Sequence, residues 1–209
     1  MSALIYDGVR IALNGRTLLD IQANVEAGQT LTIMGPSGSG KSSLLAYTGG
    51  FLGPAFEASG AILLNGQDVT QLPAYRRHTG ILFQDPLLFP HMSVGGNLIF
   101  AVPQSIRGAE RDERVAQALA HAELPDFADR DPATLSGGQK ARVALMRVLL
   151  AEPKALLLDE PFSKLDSGLR DQVRSFVFAE AKRQNLPTVL VTHDEADAEA
   201  AGGQVIALG

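Results

Sequence analysis

Gly35-Pro36-Ser37-Gly38-Ser39-Gly40-Lys41-Ser42 carries its glycines, lysine and hydroxyl in the order G-x-x-x-x-G-K-[ST], without a gap. Residues of these types at this spacing can hold the phosphates of a nucleotide. Glycines let successive backbone N–H groups turn inward around an anion. A helix that starts at the end of the loop adds the positive end of its dipole. Lys41 then reaches the β- and γ-phosphates, and the Ser42 hydroxyl is placed to ligate Mg²⁺, with Ser43 closing the segment. The competing reading is a Gly/Ser-rich turn that binds nothing. At ordinary residue frequencies the pattern arises in about 1% of chains this long, so the phosphate reading wins.

Asp159 follows the apolar run Ala155-Leu156-Leu157-Leu158 and should sit at the end of a buried strand. A carboxylate there can hold Mg²⁺ directly or through water. Glu160 comes next and can point toward the γ-phosphate, where it would polarise the attacking water. Alone, a solvated Asp-Glu pair ahead of Pro161 would be an even match for this reading; beside a phosphate loop it is not. Leu135-Ser136-Gly137-Gly138-Gln139 reads as a second anion site, at a helix start where Ser136 and Gln139 have the spacing of a capping box. Gln84 and His193 are weaker signals, each following a short apolar strand. A lone Gln there is usually just polar, and a lone His is more often structural than catalytic. His78, His91 and His121 show no metal-ligand spacing.

These residues need a scaffold. Residues 1–34 read as short strands, with Leu31–Met34 feeding directly into the glycine loop. A helix should run from Lys41 through Leu44, Leu45 and Tyr47 toward Gly49-Gly50. Ala61–Leu64 followed by Asn65-Gly66 predicts a strand entering a tight hairpin. Ile81–Phe83 is a short strand ending at Gln84, and 95–130 is mostly helical, most clearly over Arg111–Ala122. A helix is expected from Gly137 to Ala151, with Val143, Met146, Leu149 and Leu150 on its apolar face and Pro153 as its stop. Asp166 can cap the next helix, where Leu169, Val173, Phe176 and Val177 form one stripe. Thr188–Thr192 and Val205–Leu208 are strands. Strands alternating with helices imply an α/β fold with a mainly parallel sheet covered on both faces. Ligands bind at the carboxyl ends of strands in such sheets, which is where Gln84, Asp159-Glu160 and His193 fall.

Composition bounds the function. The 209 residues hold 18 basic and 23 acidic side chains, a net charge of −5, which argues against a nucleic-acid partner. Arg76-Arg77 and Lys182-Arg183 read as solvated faces. With no Cys, disulfides and thiolate metal sites are excluded. No apolar run approaches the ~18 residues of a membrane span, and the N-terminus lacks the pattern of a signal peptide. The expectation is a single domain over 1–209 that reaches a membrane only through a partner.

The motifs, in this order and at these distances, resemble the ATP-binding cassette family, the ATPase subunits that drive membrane transporters. The resemblance runs from about Val9 to Leu208. It implies a phosphate-loop NTPase fold with an N-terminal antiparallel β subdomain and a helical insertion over about 95–145. It implies that Leu135–Gln139 closes over the ATP held by a second copy of the chain, so that ATP binding makes a homodimer. By the same resemblance Gln84 contacts Mg²⁺ and water, His193 bonds the γ-phosphate, and Ser163-Lys164-Leu165-Asp166 couples the two sites. The cofactors are then ATP and Mg²⁺. The partners are separate membrane-spanning permease subunits and a substrate-binding protein, and the chain would be cytoplasmic, peripheral on the inner face of the membrane.

Phe89-Pro90-His91-Met92-Ser93-Val94 looks most like bacterial importers of sulfate, molybdate, thiamine, polyamines or iron. Part of the apolar cluster Leu87, Leu88 and Phe89 is expected to line a groove for a short helix of the permease. Phe89 is the residue chosen for that contact. The sequence departs from the family pattern at Leu13, where an aromatic usually stacks on adenine; discrimination between ATP and GTP should therefore be poor, unless Tyr6 supplies a ring. Ala201-Gly202-Gly203-Gln204 replaces an acidic-basic pair. No regulatory domain is expected after Gly209. The rival readings are a non-transport cassette ATPase, which usually carries coiled-coil insertions or two cassettes, and a silent interaction module, which should lack Glu160 or His193. A small-molecule kinase would leave Leu135–Gln139 unexplained.

Overall fold

The computed structural model describes residues 3–208. The chain divides into two compact units. The first comprises the residues up to Ile81, Lys154–Glu160 and the chain from Phe178 on; the second comprises Leu82–Pro153 and Pro161–Val177.

The first unit holds two sheets. Strands β1 (Ala3–Leu13) and β2 (Arg16–Glu26) are each 11 residues long and antiparallel. Of the short strands expected over 1–34, those up to Glu26 are thus one long hairpin, and only Thr30–Met34 is short. Its turn is Asn14-Gly15, with φ of 50° and 75°, the left-handed pair that a two-residue hairpin loop demands. The same chemistry recurs at Asn65-Gly66, which joins β4 (Phe56–Leu64) to β5 (Gln67–Asp68), as expected. These strands form a sheet in the order β2-β1-β4-β5.

The second sheet has the order β6-β7-β8-β3-β9, from β3 (Thr30–Met34), β6 (Thr79–Leu82), β7 (Ala155–Asp159), β8 (Thr188–Thr192) and β9 (Gln204–Ala207). The pairs β7/β8, β8/β3 and β3/β9 are parallel. Every residue of β8, and all but the last of β3 and β7, is buried, as a sheet covered on both faces requires.

Helix α1 (Lys41–Gly49) packs into this unit and ends at Gly50, whose φ of 81° closes it with a left-handed residue. Arg77 holds the same end. Its guanidinium donates to the carbonyls of Tyr47 (2.6 Å), Thr48 (3.2 Å), Leu72 (2.7 Å) and Thr70 (2.5 Å). This overturns the reading of Arg76-Arg77 as a solvated pair: Arg77 is 5% exposed. Burial pulls its pKa down, and bonds from a cation to helix C-terminal carbonyls offset the desolvation.

The second unit is helical. The stretch expected to be mostly helical over 95–130 contains α2 (Val94–Ala101) and α3 (Ala109–His121). They are separated where Pro103 lacks a donor and Gly108 takes φ of 58°. Helix α4 (Gly137–Leu150) starts in the predicted capping box. Helix α5 (Ser167–Arg183) buries Val173 and Val177, while Leu169 and Phe176 are half-buried and line a cavity of about 210 Å³ with Glu123 and Arg142. The expected stripe is therefore only half core. Helix α6 (Glu195–Ala201), back in the first unit, is capped by Asp194.

Candidate functional site

Strand β3 delivers the chain to the glycine loop, and α1 carries it away. Gly40 needs to be glycine: its φ is 92°, and a Cβ there would stand 2.9 Å from Cβ of Leu18. Lys41 is 6% exposed. Its Nζ donates to the carbonyls of Gly35 (2.7 Å) and Pro36 (2.9 Å), so the cation lies along the glycine loop. Ser39 Oγ is buried there without a hydrogen-bond partner.

Strand β7 ends at Asp159, and its Oδ1 accepts a hydrogen bond from the Ser42 hydroxyl at 3.0 Å. Burial pushes the Asp159 carboxyl above its ordinary range. The Ser42 bond opposes that rise, the neighbouring Glu160 charge adds to it, and Lys41 opposes it. A hydroxyl and a half-buried carboxylate that touch are a hard oxygen pair of the kind Mg²⁺ takes. A cation there would relieve the cost of ionising Asp159. The residues present therefore fit the metal.

Glu160 has φ of 45°, and its N–H still bonds the Val191 carbonyl at 2.9 Å, so the strained residue is held by the end of β8. Its Oε1 lies 3.2 Å from Nδ1 of His193. His193 lies in the link between β8 and α6, with its side chain exposed and its neighbours bonded to one another. Thr192 Oγ1 accepts from the Asp194 N–H at 3.0 Å and donates to buried Asp197 at 3.1 Å. A cavity of about 370 Å³ lies beside the loop, lined by Ser37, Lys41, Ser42 and Glu160 together with Leu13, Leu18 and Phe56. Leu18 and Phe56 were not foreseen. The structure thus gathers the loop, Asp159, Glu160 and His193 in the first unit.

The other predicted residues belong to the second unit. Gln84 is exposed, in the segment after β6, and lines a cavity of about 190 Å³ with Gly137, Lys140 and Lys164. Lys164 pairs with Asp85 at 2.7 Å. In the capping box, Gln139 N–H donates to Ser136 Oγ (3.3 Å) and Ser136 N–H to Gln139 Oε1 (2.9 Å). Ser136 and Gly137 are exposed, whereas Leu135 and Gly138 are buried. Any Cβ on Gly138 would fall within 2.8 Å of Leu169. Asp166 precedes α5, and its carbonyl accepts from the N–H groups of Leu169 (3.0 Å) and Arg170 (2.9 Å).

Phe89 is less free than expected. It meets Phe100 edge-on at 5.0 Å and lies under the Arg147 guanidinium at 5.1 Å. Arg147 in turn bonds the Leu87 and Pro86 carbonyls, and buried Asn97 bonds both backbone groups of Phe89. Leu87 (57%) and Phe100 (62%) are the exposed apolar side chains here. A shallow cavity of about 280 Å³ is lined by Leu87, Leu88 and Pro90.

A family model described as ABC transporter matches residues 18–163. The chain is 50% identical over 185 residues to the uncharacterized ABC transporter ATP-binding protein YnjD of Escherichia coli (strain K12), covering 88% of this chain and 85% of that one. It is 44% identical over 208 residues to the Fe(3+) ions import ATP-binding protein FbpC 3 of Rhodococcus jostii (strain RHA1), covering 97% and 58%. It is 39% identical over 200 residues to the putative 2-aminoethylphosphonate import ATP-binding protein PhnT of Salmonella typhi, covering 94% and 53%. The chain thus spans most of one relative and little more than half of the other two.

Proposed function

The chain belongs to the ABC transporter family, whose ATP-binding subunits are ATPases, and we propose that it binds Mg·ATP at the cavity beside Lys41 and hydrolyses it to drive an importer. The carrying observation is the contact of Ser42 with Asp159, which joins the phosphate loop to the carboxylate strand. Ser42 and Asp159 would hold Mg²⁺, which supplies charge neutralisation at the phosphates. Lys41 exchanges its carbonyl partners for phosphate oxygens. Glu160 accepts a hydrogen bond from the attacking water and takes its proton. His193 orients Glu160 and contacts the γ-phosphate. Gln84 keeps the role that the resemblance implies, as a contact to metal and water.

In this reading Ser136 and Gly138 meet the ATP of a second copy, and Asp166 lies in the coupling loop. The dimer closes on ATP and opens after hydrolysis. The surface around Leu87 and Leu88 receives a short apolar helix of a permease. Import is favoured because two of the relatives described are named as import subunits. A substrate-binding protein completes the system, and the chain works on the cytoplasmic face. Among the described residues no helix is long and apolar enough to cross a membrane. The test is Mg²⁺-dependent ATPase activity of the purified chain, with Lys41→Ala as control. Activity that survives Lys41→Ala would refute the reading.

A further inference from the structure

We propose that Phe56 supplies the ring on which the nucleotide base stacks, replacing an aromatic residue at the end of β1, and that this site takes purine nucleoside triphosphates with little regard to the base. The proposal rests on the reading that the cavity beside Lys41 holds the nucleotide.

Phe56 opens β4 and is the antiparallel partner of Leu13, the last residue of β1. Strand pairing therefore sets a ring beside the position that lacks one in the sequence. Both residues line the cavity of about 370 Å³ that also takes in Ser37, Lys41 and Glu160. The lining divides by chemistry. The loop residues carry hydroxyls and an ammonium, whereas the side chains of Leu13, Leu18 and Phe56 are hydrocarbon. A triphosphate fixed at Lys41 has one part suited to the carbon lining, its nucleoside.

The ring is held in place. The Phe56 N–H donates to the Gly53 carbonyl at 3.1 Å. The side chain is half-buried and packs against the core cluster of the first unit. Among the described residues lining this cavity, Phe56 carries the only ring. Tyr6 is no substitute, being 0% exposed with its hydroxyl 3.0 Å from that of Thr48.

Base indifference follows from the same residues. Stacking tolerates any base because every base has a π-face. Discrimination between a 6-amino and a 6-oxo purine needs a donor or acceptor aimed at that edge. The side chains of Leu13, Leu18 and Phe56 have none.

The chain contains no Trp, so Phe56→Trp introduces a lone indole. Its fluorescence should change on adding Mg·ATP or Mg·GTP over similar concentration ranges, and not on adding Mg·tripolyphosphate. Phe56→Leu, which keeps apolar bulk, should weaken ATP and GTP binding alike by about tenfold. It should leave tripolyphosphate affinity within about twofold and the unfolding temperature nearly unchanged. Wild-type ATP affinity in Phe56→Leu, or an indole that ignores saturating ATP, would overturn the stacking role. A wild-type preference for ATP over GTP of about a hundredfold would overturn the base indifference. If Lys41→Ala leaves both tripolyphosphate and ATP binding intact, the reading of the cavity itself has failed, and the proposal with it.

Discussion

Nδ1 of His193 stands 3.2 Å from Oε1 of Glu160, although the two residues follow different strands. Parallel pairing of β7 with β8 creates this approach, because Asp159 is in register with Val191 and each strand ends next to its neighbour. The carboxylate proposed to take a proton from water thereby has a second side chain beside it. Its backbone is strained, at φ of 45°, into the conformation that meets it.

Glu160→Gln keeps the size of the side chain and removes its basicity. ATP hydrolysis should fall by about a hundredfold or more, while ATP affinity stays and an ATP-bound dimer accumulates. Turnover together with size-exclusion behaviour in Mg·ATP reads both effects. Full ATPase activity in the variant would refute the assignment.

Asp159→Asn separates metal binding from stability. The folded state raises the Asp159 pKa, chiefly by burial. The folded state then binds the proton more tightly than the unfolded one, so this group's contribution is fully present below the ordinary carboxylate range and is lost as pH rises through the raised value. In the nucleotide-free protein, Asp159→Asn should match wild type in acid and unfold at a higher temperature at neutral pH. Mg²⁺-dependent ATPase should be lost. Thermal scans across that pH range test the sign, and a variant less stable than wild type at neutral pH would contradict it.

Ser136 probes the proposed contact across the dimer better than Gly138. Gly138→Asp would drive a side chain into Leu169, so its effects mix packing with charge. Ser136→Ala removes the cap hydroxyl, at a cost of about 1 kcal/mol. It should reduce ATPase well beyond that, with ATP affinity of the single chain retained. Loss of ATP affinity in a folded Ser136→Ala protein would count against the across-dimer role.

The proposed permease contact moves from Phe89 to Leu87. Phe89→Ala should lower stability, because Phe89 packs against Phe100 and under Arg147. Leu87 is exposed with φ of 47°, a conformation that Asn tolerates. Leu87→Asn should therefore keep the fold and basal ATPase and weaken co-purification with the permease by about tenfold, the scale of burying one large apolar side chain. Unchanged co-purification would remove Leu87 from the interface.

The phosphate loop, the capping box and the strand ends were legible because each is a local run whose residue types carry its meaning. The contact between Ser42 and Asp159 could be inferred from their types, although 117 positions separate them. Phe56 was not legible, since only the register of β1 against β4 brings it beside Leu13. Arg77 was misread because its neighbour Arg76 is exposed, and nothing in a pair of basic residues says that one will find four backbone carbonyls. The Asn14-Gly15 hairpin was written in the sequence and passed over. The packing of Gly138 against Leu169 depends on how α4 meets α5, which no local pattern encodes.

Helix α1 has 9 residues, too few to stand alone in water. Lys41 and Ser42 lie at one end of it, and the Arg77 guanidinium grips the carbonyls of Tyr47 and Thr48 at the other. The helix is thus pinned at Arg77, at the end opposite the glycine loop. If that grip helps to set where Lys41 and Ser42 stand, the proposed hold on phosphate depends on a residue placed at the opposite end of the helix. A substitution at Arg77 that lowered nucleotide affinity would then report on the seating of this helix, not on a contact with the nucleotide.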